Sequence, residues 1–378
     1  MLGRTGCLII NPATYQAHPG LGVGHVLKGV VLESKHCIEP GVLARAARIR
    51  VPSTEANHTP LWQLPHMSDT LPTPLSTGDD QEAQATLPCV MVFNANDPSG
   101  AGGLSADLSA MSSASAHVLA VVTGSYVRDT TEIHDHIPFD EEAVTDQARC
   151  ALEDMPIQAF KVGFVGNAEN ISAIAAIATD YTEVPVITYM PDLSWWDEVE
   201  IDNYLDACAE LLLPQTTVLV GNHSTLCRWL LPDWEGDKAP PPREVARAAA
   251  VHGVPYTLIT GFNAADQFLE SHLASPESIL ATARYERFEA TFSGAGDTLS
   301  AALCALIANG MDLQAACAEA LTYLDQCLDA GFQPGMGHAV PDRMFWAHGD
   351  DEEDTQQAGP DSENTLEAKD FPLDSTKH

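Results

Sequence analysis

From residue 87 the chain alternates short, largely apolar runs with longer stretches of helical spacing, and this alternation constrains its fold more than any other feature. The run Cys89-Val90-Met91-Val92-Phe93 has no polar member, as a strand covered on both faces requires. Further runs fall at Val118–Val122, Ile157–Phe164, Val184–Thr188, Thr217–Val220 and Tyr256–Thr260. Between them, helical spacing is read over 101–116, Glu141–Asp154, Asn170–Thr179, Tyr204–Leu213 and Pro242–Val251, the last stopped by Gly253. Two helices, Asp297–Asn309 and Leu313–Ala330, close the pattern, with Gly310 and Gly331 just past their ends. Strands alternating with helices of this length predict βαβ units around a mostly parallel sheet.

The ends of the chain read differently. Residues 1–86 lack a sustained period, and 68–88 are rich in Ser, Thr, Pro, Asp and Gln, so this part is expected to be unfolded. The opening apolar stretch is too short for a signal peptide. Arg4, Arg45, Arg48 and Arg50 among few acids leave a mitochondrial targeting role open, ranked below Met67 as the biological start. From 348 to the end the chain becomes an acidic Gln/Ser/Pro tail, expected to be disordered.

The net charge is −35, and more than all of it arises from Met67 onward, because residues 1–66 carry six Lys/Arg and three Asp/Glu and are net positive. Such a chain repels nucleic acid and anionic membranes, so neither is expected as a partner. The acidity fits either adaptation to high salt or a plain solvated surface. Nine cysteines without a Cys-x-x-Cys pair argue against a zinc site and fit a reducing cytoplasm. No run approaches the length of a membrane span.

Two Gly-rich segments carry the chemistry. Asn96-Asp97-Pro98-Ser99-Gly100-Ala101-Gly102-Gly103 follows an apolar strand and opens a helix. Ligands collect at such strand ends, and Asp97 or Asp107 could accept hydrogen bonds from one. It is not a phosphate-binding loop of the Gly-Lys-Ser/Thr type. Read alone it favours an ordinary strand-to-helix turn with Asp107 exposed on the helix. The second segment, Phe292-Ser293-Gly294-Ala295-Gly296-Asp297-Thr298, stands before an apolar helix. Backbone N–H groups at a helix N-terminus, reinforced by the helix dipole, make an anion hole for a transferring phosphate. Asp297 could there take the proton of an attacking hydroxyl, or it could merely cap the helix.

Together these segments resemble the ribokinase superfamily, in which a Gly-Ala-Gly-Asp loop supplies both the anion hole and the base. Ala151–Pro156, Ala159–Gly163, Leu211–Leu219 and Ala330–Gly337 are further similar to its hydroxymethylpyrimidine/phosphomethylpyrimidine kinase branch. The resemblance spans about 88–347 and implies a ribokinase-like three-layer α/β sandwich with a mostly parallel central sheet. It implies phosphoryl transfer from ATP with Mg2+ to a hydroxymethylpyrimidine or its monophosphate, and relatives suggest a homodimer. In these terms Asp297 is the base, and Gly294, Ala295 and Gly296 hold the phosphoryl oxygens. Asp97, Gly100, Gly102, Asp107 and Arg128 face the substrate, and Asn222, Lys161 and Thr298 lie on the nucleotide side.

Several positions depart from that family's pattern. Its catalytic-loop cysteine is Asp297 here, and its pyrimidine-binding glutamine is Arg128. A guanidinium donates and cannot accept, so Arg128 suits a phosphate or carboxylate better than a neutral pyrimidine. The Asp-Pro of the family's central strand is Tyr189-Met190, with Asp192 as the candidate metal ligand nearby. Its phosphate-organising glutamate is Thr225, and a later nucleotide-side histidine loop reads Gly261-Phe262-Asn263. These changes leave two other readings open: a kinase for a different hydroxymethyl substrate, and a non-catalytic pyrimidine-binding relative. His134-x-His136 resembles a metal pair but has no evident third ligand, and Trp195-Trp196 is expected to pack a loop or interface.

Overall fold

The computed structural model describes residues 87–264 and 267–348. The extension expected over 1–86, the Met67 start and the acidic tail from 349 lie outside the described residues.

Nine strands form one sheet in the order β3-β2-β1-β4-β5-β6-β7-β8-β9. They are β1 (Cys89–Asn96), β2 (His117–Arg128), β3 (Ile133–Pro138), β4 (Ala159–Val162), β5 (Val186–Met190), β6 (Val218–Asn222), β7 (Tyr256–Asn263), β8 (Phe268–Ala274) and β9 (Ile279–Glu286). The six strands from β2 to β7 in that order pair in parallel, while β3, β8 and β9 are antiparallel additions at the two edges.

Period-two alternation sorts the side chains into two apolar layers. Met91 and Phe93 pack on one face with α2 (Glu141–Leu152), α3 (Ala168–Thr179), α4 (Glu198–Ala207), α5 (His223–Leu230) and α6 (Pro242–Val251). Val90 and Val92 pack on the other with α1 (Gly103–Ser113), α7 (Ala295–Ala308) and α8 (Leu313–Asp329). The expected three-layer, mostly parallel α/β sandwich is therefore present.

Local chemistry sets the helix ends. The Asp140 side chain accepts from Ala143 N and starts α2, Asn167 does the same for α3, and Asp312 for α8. Gly253, at φ +96°, stops the chain after α6, as its position predicts.

The chain runs from β1 outward to β2 and then returns to the other side of β1 with β4. This reversal is a topological switch point, where the carboxyl ends of neighbouring strands part and leave a crevice. The loops after β1 and β4 open at that point, with α7 beginning above them.

Three strands have no counterpart in the expected pattern. The β3 segment (IHDHIP) reads as a polar loop because half of it is His or Asp and most of it is exposed. β8 and β9 lie in a stretch to which the sequence assigns no element, although β9 turns Leu280, Ala281, Ala283 and Tyr285 toward the α7/α8 layer.

Candidate active site

Four parallel strands send one side chain each from their carboxyl ends toward the α7 side of the sheet: Asn94 (β1), Lys161 (β4), Tyr189 (β5) and Asn222 (β6). Each lies an even number of residues after a core residue of that face, namely Val92, Ala159, Ile187 and Val220.

Asp297 meets the first two. Its Oδ1 accepts from Lys161 Nζ at 3.0 Å and Asn94 Nδ2 at 3.0 Å, and its Oδ2 accepts from Gly103 N at 3.2 Å. The same two side chains also hold Asp107, with Lys161 Nζ at 2.7 Å from Oδ1 and Asn94 Nδ2 at 2.8 Å from Oδ2. Lys161 and Asp107 are fully buried, whereas the Asp297 carboxylate keeps 16% exposure. Among these three charged groups only Asp297 can reach a ligand.

Their environments push the two carboxyls apart. Burial raises the Asp297 pKa, but the Lys161 charge and the three hydrogen bonds outweigh it and leave it below the ordinary value. Burial dominates for Asp107 and, with the Asp297 charge, raises it to about 6 against the pull of Lys161. Asp297 is thus ionised at neutral pH, as a proton acceptor must be, and is the weaker base of the two carboxylates.

The two Gly-rich segments touch. Gly294 adopts φ +85°, and a methyl placed on it would collide with the Ala101 carbonyl oxygen. Arg343 fastens this contact: its Nε donates to Thr298 Oγ1 at 2.8 Å, Nη1 to Gly100 O at 3.2 Å, and Nη2 to Ala101 O. No motif singles out Arg343 in the sequence. It lies 45 residues beyond the loop it clamps, and only the fold brings the two together.

The remaining candidates lie around this core, several of them engaged by protein partners. Asp97 Oδ2 accepts from Gly102 N at 2.8 Å and lies 3.3 Å from Arg128 Nη1. Arg128 Nη2 reaches Ser293 Oγ at 3.4 Å, so Arg128 bridges the two segments. Gly100, at φ +73°, turns the loop that carries them. The Thr298 hydroxyl is engaged by Gly294 O and Arg343. Asn222 caps α5, accepting from Ser224 N and Oγ.

Two features of the site fit an anionic ligand. The amides of Gly294, Ala295, Gly296 and Asp297 donate to no protein acceptor among the described residues. They stand at the positive end of a 14-residue helix. Beside Ala295 and Gly296 opens a cavity of about 200 Å³, lined also by Asn222, Gly261, Tyr285 and Leu324. Its apolar wall suits a flat aromatic base, and its helix end suits phosphates.

A metal fits less well. Among the described residues no group of three or more His, Cys, Asp or Glu is placed to hold a metal ion. Asp192 is spent on Ser194 and lies 3.5 Å from Arg228, in a separate cavity of about 480 Å³ with Thr225 and Trp196. Where the resemblance places a carboxylate, β5 carries the Tyr189 phenol, which supplies no charge to Mg2+. The residues present do not fit a magnesium site built from protein carboxylates. His136 packs its ring against Tyr126 and Phe164, and Trp195 stacks on Trp196 within the same aromatic cluster.

The family profile described as phosphomethylpyrimidine kinase matches residues 97–342. The chain is 26% identical over 267 residues to a hydroxymethylpyrimidine/phosphomethylpyrimidine kinase of Streptomyces coelicolor, covering 70% of this chain and 97% of the relative. It is 25% identical over 272 residues to the enzyme of that name from Mycobacterium bovis, covering 69% and 95%. Among solved structures, an ADP complex of Bacillus subtilis pyridoxal kinase superposes with a TM-score of 0.62 at 18% identity, over 69% of this chain and 99% of that one. A Clostridium difficile phosphomethylpyrimidine kinase superposes with a TM-score of 0.54 at 18% identity, over 64% and 100%. At these identities the structural likenesses establish the fold.

Proposed function

Because the chain belongs to the phosphomethylpyrimidine kinase family, we propose that it transfers a phosphoryl group from ATP to the hydroxymethyl group of a pyrimidine, or to the monophosphate of that compound. The observation that carries this reading is the ionised Asp297 carboxylate beside four unpartnered amides at the α7 N-terminus. Bound ATP supplies the transferable phosphoryl group. As the acceptor oxygen forms its bond to phosphorus, its proton passes to Asp297 and the bond to the ADP oxygen breaks. The amides of Gly294, Ala295 and Gly296 take the charge on the phosphoryl oxygens, and their fixed positions need no reorganisation during transfer. Lys161 and Asn94 keep Asp297 oriented throughout. Magnesium enters this reading only as the counterion that ATP carries in solution.

Substrate would lie against Asp97, Gly102 and Arg128. Arg128 favours a second reading, an acceptor that bears a phosphate or carboxylate, since its guanidinium has donors only. The seven described cysteines are all free thiols, which supports a place in the reducing cytoplasm. The same reading includes a homodimer: Val127, Ile137 and Phe139 expose apolar surface on and beside the β2–β3 hairpin.

The test is ATP consumption with hydroxymethylpyrimidine, its monophosphate and a small panel of other hydroxymethyl compounds. The native chain should turn over, and Asp297→Asn should lose about 10²–10⁴-fold in kcat, the usual contribution of a general base. A native chain that consumes no ATP with any of them, or a mutant as fast as the native, would rule the proposal out.

A further inference from the structure

Tyr189 is a residue for which neither the resemblance nor the mechanism above gives a role. It stands next to last in β5 on the face that carries Asn94 and Lys161, and its ring packs against the α7 layer with Lys161 Nζ 5.7 Å from the ring centre. Its hydroxyl lies directly against the first turn of α7. A methyl placed on Gly296 would collide with the phenolic oxygen, so only glycine at 296 admits the ring. The residue is partly buried, and its hydroxyl makes no hydrogen bond to protein among the described residues and stays accessible to a ligand. Burial, with the charges of Asp297, Asp192 and Asp107, holds the phenol well above its ordinary pKa, so it remains a donor.

An O–H donor without a protein acceptor thus lies against the same helix turn whose Ala295 and Gly296 amides also lack one. What satisfies several neighbouring donors is an anion with several acceptor oxygens. We propose that Tyr189 is a catalytic residue whose hydroxyl donates to a phosphoryl oxygen held at the α7 N-terminus. A neutral side-chain donor thus stands where the related enzymes' pattern has a carboxylate. The proposal rests on the phosphotransfer reading and adds one residue to it.

Tyr189→Phe removes the donor and leaves the ring in place against Gly296. In an active enzyme kcat should fall about 10²-fold, in the range found for loss of one oxyanion donor. The KM for the acceptor alcohol and the thermal midpoint should stay unchanged. If kcat is unchanged or rises, the hydroxyl is idle or obstructive and the proposal falls, while the kinase reading stands on the Asp297→Asn result. If the native chain shows no turnover, the kinase reading falls, and titration calorimetry with inorganic tripolyphosphate decides the proposal. About tenfold weaker binding by Tyr189→Phe then supports a donor at this position, and equal binding overturns it.

Discussion

Asp297 and Asp107 compete for the same two donors, Lys161 and Asn94, and that competition makes the pH dependence of the site predictable. Asp97, Arg343, Tyr126 and Tyr189 also face this cluster, but Lys161 is the largest influence lowering the Asp297 pKa. Activity that needs ionised Asp297 is lost as pH falls through its pKa, so the acid limb of kcat/KM reports it. Replacing Lys161 by Met removes the lowering charge and should move that limb to higher pH. Replacing Asp107 by Asn removes a competing carboxylate and should move it to lower pH. A purely structural role would lower activity in both variants without opposite shifts, and pH–rate profiles distinguish the two. Lys161→Met leaves two buried carboxylates without their cation, a loss of about 3–5 kcal/mol, so Asp107→Asn is the safer arm. The sequence points to all four residues Asp97, Asp107, Lys161 and Asp297, yet sets Asp97 and Asp107 on the substrate, Lys161 on the nucleotide side and Asp297 as the base. Their contacts join positions 54 and 136 residues apart, which no local spacing encodes. Strand alternation carries part of the signal, since Lys161 lies two residues after the core residue Ala159.

At the scale of elements, the buried parallel strands are legible because a short, largely apolar run needs cover on both faces, which the centre of a parallel sheet supplies. The edge strands are not, because one exposed face dilutes the apolar signal in β3 and β9. The expected start of the helix at Asp297 is two residues late: α7 begins at Ala295 and places Asp297 in its first turn. Small residues with no apolar periodicity hide a helix start, even where the turn chemistry is plain. That start depends on Gly294 for two reasons, its left-handed backbone and its contact with the Ala101 carbonyl. Gly294→Ala should therefore lower stability by more than about 2 kcal/mol, above the roughly 1–2 kcal/mol that a left-handed conformation alone costs, and abolish turnover. Gly310 has almost the same backbone, φ +86°, with nothing within 4 Å of an added methyl. Gly310→Ala should cost only the backbone penalty and keep activity. Thermal unfolding and turnover of the pair check this, and equal losses in both would refute a role for the loop contact.

Across the whole molecule, the layered α/β architecture is readable from residue 87 onward, whereas assembly is not, because a surface leaves no period in the sequence. The exposed apolar side chains of Val127, Ile137 and Phe139 are the structural argument for a dimer built on the edge hairpin. The net charge of −35 opposes it, since each copy repels the other. These two effects respond differently to salt. Screening shortens the reach of the repulsion from about 10 Å at 0.1 M to about 3 Å at 1 M and leaves apolar burial in place. Self-association of the intact chain, followed by sedimentation equilibrium in potassium chloride, should therefore tighten as salt rises. Ile137→Asp, which sets a carboxylate into the contact, should be monomeric throughout. A native chain that is monomeric at both salt levels removes the dimer. An undiminished dimer in Ile137→Asp places the interface elsewhere on the surface.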